Sequence, residues 1–148
     1  MTEIAFHFNA PDKWAYACRL LRKAMNAGVR VVVCAQSEGL AHLDGLLWTF
    51  SPLEFIPHCL ASASKSELAS SPVVLTEQLS ADVQALHAQV LVNLGQGIAQ
   101  GFESFDRVIE VVTLEEGDRQ WARQRWKHYA DRGYNIVRHD LNLKPESA

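Results

Sequence analysis

Thr113-Leu-Glu-Glu-Gly-Asp-Arg-Gln-Trp-Ala-Arg-Gln-Arg-Trp-Lys-His-Tyr-Ala-Asp-Arg-Gly-Tyr-Asn-Ile-Val-Arg138 reads as a helix that turns into a strand. Thr113 and Glu116 have the spacing of a capping box. Glu115, Glu116 and Asp118 crowd the first turns, where the helix dipole favours negative charge. Gly133 stands where a left-handed cap belongs, just after Arg132. The pattern predicts a helix from about Thr113 to Arg132 and a strand from Tyr134 to His139. Leu114, Trp121, Ala122 and Tyr129 form an apolar stripe that should face a core. Arg119, Arg123 and Lys127 recur at i, i+4 and i+8, with Trp126 beside Lys127. Same-sign neighbours at that spacing repel, so a face needed only for solubility would more often mix in acids. The face suits an acidic partner with an apolar element for Trp126, although a charge run is as often merely a solvated face.

Working outward, the preceding chain supplies the rest of a layered fold. Glu3 to Phe8 reads as a strand. Pro11 and Asp12 open a helix through about Asn26, with Trp14, Ala17, Cys18, Leu21 and Met25 at helical spacing, and Gly28 ends it. Val29 to Cys34 is a continuous apolar run, as in a strand buried on both faces of a parallel sheet. Ser37 can cap a helix through about Trp48, with Leu40, Leu43, Leu47 and Leu46 inward. Val73 to Leu75, Ala88 to Leu94 and Arg107 to Val112 read as further strands. This β-α-β-α order predicts a single α/β domain over residues 1–148, with a mainly parallel sheet and helices on both faces. Thr49 to Cys59 is irregular and aromatic, with two prolines. Ala61 to Ser71 reads as a flexible surface loop, and residues 141–148 as a tail.

Composition narrows the function. The 148 residues are 48% hydrophobic and 21% charged, as in an ordinary globular domain. The net charge of −3 argues against a general nucleic-acid binder. Basic charge is local instead: six of the 14 Lys and Arg fall between Arg119 and Arg138, against the single acid Asp131. Cys18, Cys34 and Cys59 are widely spaced, with no CxxC, and read as buried small hydrophobes in a reducing cytoplasm. No signal peptide and no membrane-spanning run is expected.

Motifs for chemistry are sparse. Gly95-Gln-Gly97-Ile-Ala-Gln-Gly101 approaches a dinucleotide fingerprint. The next strand follows too soon for a crossover helix, so a Gly-rich turn is the preferred reading. There is no GxxxxGK[ST] run and no GxSxG elbow. None of the six histidines shares HxH or HxxxH spacing, so no metal or cofactor is expected. The alternatives to a docking protein are a nucleotide- or dinucleotide-binding enzyme on a Rossmann-like fold, and a direct single-strand binder using Trp126 as a stacking platform.

The chain resembles a known family, the chi subunit of bacterial DNA polymerase III, part of the clamp-loader assembly. The likeness is carried by Leu47-Trp48 followed by Glu54-Phe55-Ile56-Pro57-His58, by Arg107 to Val112, and by Gln120 to Tyr129 leading into Gly133-Tyr134-Asn135. It implies a Rossmann-like α/β domain without a nucleotide site and a non-catalytic, cytoplasmic adaptor. It implies two partners, the psi subunit and the acidic, Phe-ended C-terminal tail of single-stranded-DNA-binding protein, and no membrane; nucleic acid is met only indirectly. By position, Arg119, Arg123, Trp126 and Lys127 match the family's tail-binding residues, with Arg119 where a Lys is familiar and Trp126 where a Tyr is. Trp48 and Phe55, with Pro57 and His58, match the psi-facing segment, which an associated helicase-like protein also uses.

Overall fold

All strand pairings among the described residues are parallel. The computed structural model describes residues 2–49, 56–86 and 89–142. Its seven strands are β1 (Glu3–Ala10), β2 (Val31–Cys34), β3 (His58–Leu60), β4 (Val73–Thr76), β5 (Val90–Asn93), β6 (Arg107–Thr113) and β7 (Ile136–Asp140). They form one sheet in the order β3-β4-β2-β5-β6-β1-β7. Five helices connect them: α1 (Lys13–Asn26), α2 (Ser37–Thr49), α3 (Lys65–Ser70), α4 (Ala81–Leu86) and α5 (Glu116–Asp131). The chain is thus a single α/β domain of Rossmann-like layering.

The apolar runs explain the arrangement. Every residue of β2 and of β4 is buried. Such strands need cover on both faces, which helical crossovers supply. Alternation then sorts side chains into two cores. On one face Val31, Val33, Val73, Leu75, Val92, Ile109 and Val111 meet Ala17, Cys18 and Leu21 of α1 and Leu40, Leu43 and Leu47 of α2. On the other, Ile4, Phe6, Val32, Val74, Leu91, Val108 and Val112 meet Leu68 of α3, Val83 of α4 and Ala122 and Tyr129 of α5.

Several expectations are corrected. The stretch expected as a loop, Ala61 to Ser71, contains α3. Ser64 caps it by accepting from the Glu67 amide at 3.3 Å, and Leu68 anchors it in the core. β3 begins at the end of the segment expected to be irregular and runs past it to Leu60, pairing with β4 at the sheet edge. Thr113 belongs to β6 rather than to a capping box, and α5 begins at Glu116. The acid that secures this junction is Asp118, whose carboxylate accepts from the Thr113 amide at 2.8 Å and hydroxyl at 3.0 Å. The expected C-terminal cap is present: Gly133 has φ 77°, and the Tyr134 amide donates back to the Tyr129 carbonyl.

Candidate functional site

Helix α5 carries the candidate tail-binding residues, and its inner face fixes where they point. The apolar stripe is only half as expected. Ala122 and Tyr129 are buried, but Leu114 and Trp121 are 48% and 41% exposed. Between Ala122 and Tyr129 the core position is taken by Arg125, which the sequence reading counted among the local basic charges but did not single out. Its Nε donates to Glu110 Oε1 at 2.8 Å, and its Nη1 to the Gln96 carbonyl at 2.8 Å. The Tyr129 hydroxyl donates to Glu110 Oε2 at 2.6 Å. Asn93 Nδ2 reaches both Glu110 oxygens and the Gly97 carbonyl. Burial first, and then Glu110, push the Tyr129 phenol upward, so it stays a donor. This buried network locks α5 to β5, β6 and the Gly95–Gly101 turn.

With that face inward, Trp126, Arg119, Arg123 and Lys127 come to one flank. Arg123 and Lys127 are exposed. Arg123 Nη1 makes a surface ion pair with Glu116 at 3.1 Å. Arg119 is half-buried, not presented freely to solvent, because Nη2 donates to Asn9 Oδ1 at 2.9 Å. A register shift between His7 and Ala10 accompanies a left-handed Asn9, at φ 66°, a conformation asparagine tolerates better than most residues. Asn9 Nδ2 also donates to Asp140 at 2.8 Å.

Trp126 is half-buried, not a free platform. Its ring packs on Phe6 at 5.0 Å between centroids. The Arg138 guanidinium lies 5.8 Å from the Trp126 ring centre and 5.4 Å from that of Phe8. Phe8 and Arg138 therefore border this flank. Sequence reasoning did not single them out, and the only available signal was the strand alternation of β1 and β7.

The second expected site gathers differently. Trp48 is 61% exposed, and Pro57, the residue before His58, is exposed as well. The His58 imidazole is buried: Nδ1 meets the Ile56 carbonyl at 2.8 Å and Nε2 meets Asp44 at 2.7 Å. Its ring stands edge-on to Trp48 at 5.5 Å. His58 thus supports Trp48 rather than forming part of the surface. Phe55 lies outside the described residues.

A third feature lies at the carboxyl ends of the strands. There α1 leaves β1 toward one face of the sheet and α5 leaves β6 toward the other, the point at which open α/β sheets usually bind ligands. A crevice of about 690 Å³ opens between the starts of α1, α2 and α5. Its chemistry opposes a nucleotide. Asp12 Oδ1 already accepts from the Trp14 and Ala15 amides that a phosphate would seek at the α1 start. Asp12, Glu38, Glu115 and Asp118 face it against the one lysine Lys13. In the Gly95–Gly101 turn, the Gly95 amide donates to Asn93 Oδ1, and a 3-10 turn at Phe102–Ser104 follows instead of a crossover helix. Among the described residues, no three His, Cys, Asp or Glu converge as metal ligands, and no helix is long and apolar enough to cross a membrane.

The profile of the family described as DNA polymerase III chi subunit, HolC, matches residues 1–137. The chain is 36% identical over 126 residues to DNA polymerase III subunit chi of Pseudomonas aeruginosa, covering 84% of each chain. It is 28% identical over 121 residues to the protein of that name from Haemophilus influenzae, covering 81% of each. Against the Escherichia coli protein of that name it is 27% identical over 120 residues, covering 80% of this chain and 79% of the other.

Proposed function

The chain belongs to the DNA polymerase III chi subunit family, and from that premise we propose that it is a non-catalytic adaptor joining two partners to the replicative polymerase. One is the acidic, Phe-ended tail of single-stranded-DNA-binding protein, received on the basic flank of α5. The other is the psi subunit, received on the Trp48 surface with Pro57 and Phe55. The observation that carries the first assignment is the Arg138 guanidinium set over the half-buried rings of Trp126 and Phe8, on the flank of α5 that also carries Arg119, Arg123 and Lys127. An acidic peptide ending in Phe needs cations for its carboxylates and an apolar wall for its ring, and acidic-motif capture by clustered arginines is an established mode. Arg123 is the central cation. A guanidinium can hold a carboxylate with two hydrogen bonds.

Isothermal titration of a tail peptide against wild type, Arg123→Ala and Trp126→Ala tests this reading. Loss of Arg123 should cost on the order of 2 kcal/mol, the lower end for a charge pair that loses a partner. Higher salt should weaken binding without abolishing it, because the Phe contact is apolar. Equal binding by Arg123→Ala, or by a peptide lacking its final Phe, would refute the mechanism. An oligonucleotide titrated in parallel separates this role from direct single-strand binding. On the other surface, Trp48→Ala should weaken psi binding while leaving tail binding nearly unchanged; unaltered psi binding would remove that assignment.

A further inference from the structure

We infer that the crevice at the carboxyl ends of β1, β5 and β6 is a third docking site, taking a basic peptide segment in which Arg or Lys sits beside a bulky apolar residue. The inference does not depend on the two surfaces proposed above. Its apolar part is built by Trp14, Leu114 and Trp121. Leu114 and Trp121 are two of the four exposed large hydrophobic side chains among the described residues. Trp14 is set as a wall by a close approach: a Cβ at Gly39 would overlap Trp14 Cη2, so glycine leaves the ring its place. His42 braces the same ring edge-on at 5.7 Å.

Charge complementarity selects the occupant. Lys13 Nζ is tied to Asp118 at 3.0 Å and to the Leu94 carbonyl at 3.3 Å, so that pair is internally balanced. The Asp12 carboxylate is engaged by the first amides of α1. Glu38 and Glu115 remain, both exposed and both without an ion-pair partner among the described residues. Two unmatched carboxylates beside indole rings suit a guanidinium or ammonium, which gains from the acids and from the aromatic faces together. The same charges repel phosphates and acidic peptides. The site is also separate from the basic flank: Trp121 and Trp126 are five residues apart, about 140° around the helix, so α5 can serve both at once.

The test is titration calorimetry of the full chain with a blocked hexapeptide of alternating Arg and Leu, and with its Glu and Leu counterpart. The Arg peptide should bind saturably and the Glu peptide should not. Trp121→Ala should weaken the Arg peptide about tenfold, as expected for a truncated aromatic anchor. Glu38→Gln combined with Glu115→Gln should weaken it roughly three- to tenfold, the range for losing two exposed charge pairs. All three residues altered here are exposed, and urea unfolding confirms that each variant is folded. Equal binding of the two peptides, or unchanged Arg-peptide binding in both variants, overturns the assignment.

Discussion

Arg125 Nε donates to Glu110 Oε1 at 2.8 Å, with both side chains sealed from solvent. An ion pair so placed gains little over an apolar pair of the same volume, but breaking it strands a charge in a dry core. Its value is positional, because it fixes which side of α5 faces the sheet. Arg125→Ala should therefore destabilise the fold by about 3–5 kcal/mol. Tyr129→Phe, which removes one donor from Glu110, should cost about 1–3 kcal/mol. Urea unfolding measures both, and a loss under 1 kcal/mol for Arg125→Ala would contradict the account.

Asp118 gives the fold an acid-sensitive joint. Burial opposes its ionisation, but the Thr113 amide, the Lys13 charge and the bonds from Lys13 and the Thr113 hydroxyl outweigh that and hold its carboxyl below the ordinary carboxylate range. A lowered folded value means stability that is complete above the ordinary carboxylate range and lost as pH falls through the folded value. Asp118→Asn should be less stable than wild type at pH 7, with the gap narrowing from about pH 5 downward. A gap that stays constant across a pH series of urea melts would show that the charge is not responsible.

The three cysteines should differ in reactivity. Burial, reinforced by Glu110 and Glu77, pushes the Cys34 thiol up to about 11. Burial and Asp12 push Cys18 up to about 11 as well. Both are buried, whereas Cys59 is only partly so. Iodoacetamide at pH 8 should label Cys59 first, since the thiolate is the reacting form. Peptide mapping that found Cys34 or Cys18 labelled ahead of Cys59 would show that the sheet opens faster than the burial implies.

Glu116 competes for Arg123 in the free protein, at 3.1 Å on an exposed surface. On the proposed role, an acidic tail would have to displace it. Glu116→Gln should tighten tail-peptide binding by about twofold, the scale of an exposed ion pair. Weaker binding in calorimetry would mean that Glu116 orients Arg123 rather than occupying it.

The parts legible in the sequence are those that depend on period and on local backbone chemistry. Val31 to Val33 announced a doubly buried strand, and Gly133 announced the left-handed cap of α5. Arg125 was not legible, because its burial depends on Glu110 and Gln96 arriving from elsewhere in the chain. Trp121 and Leu114 fit the same apolar stripe as Tyr129, yet they line the open crevice at the carboxyl ends of the strands instead of the core. His58 was legible as part of a segment but not as a support, since its partner Asp44 comes from α2. The α3 helix was hidden by serines that read as loop until one of them capped it.

The place of β1 in the sheet has a consequence for synthesis. It pairs with β6 and β7, more than 100 residues later in the chain. At a ribosomal rate of about 5–20 residues per second, β1 waits several seconds or more for its neighbours to be made. Throughout that interval Ile4 and Phe6 have no sheet to join. Non-local pairing of this kind slows folding and leaves strand edges open. The first strand therefore stays without a sheet neighbour until β6 emerges, and β7 can close that side of the sheet only after α5 has been made.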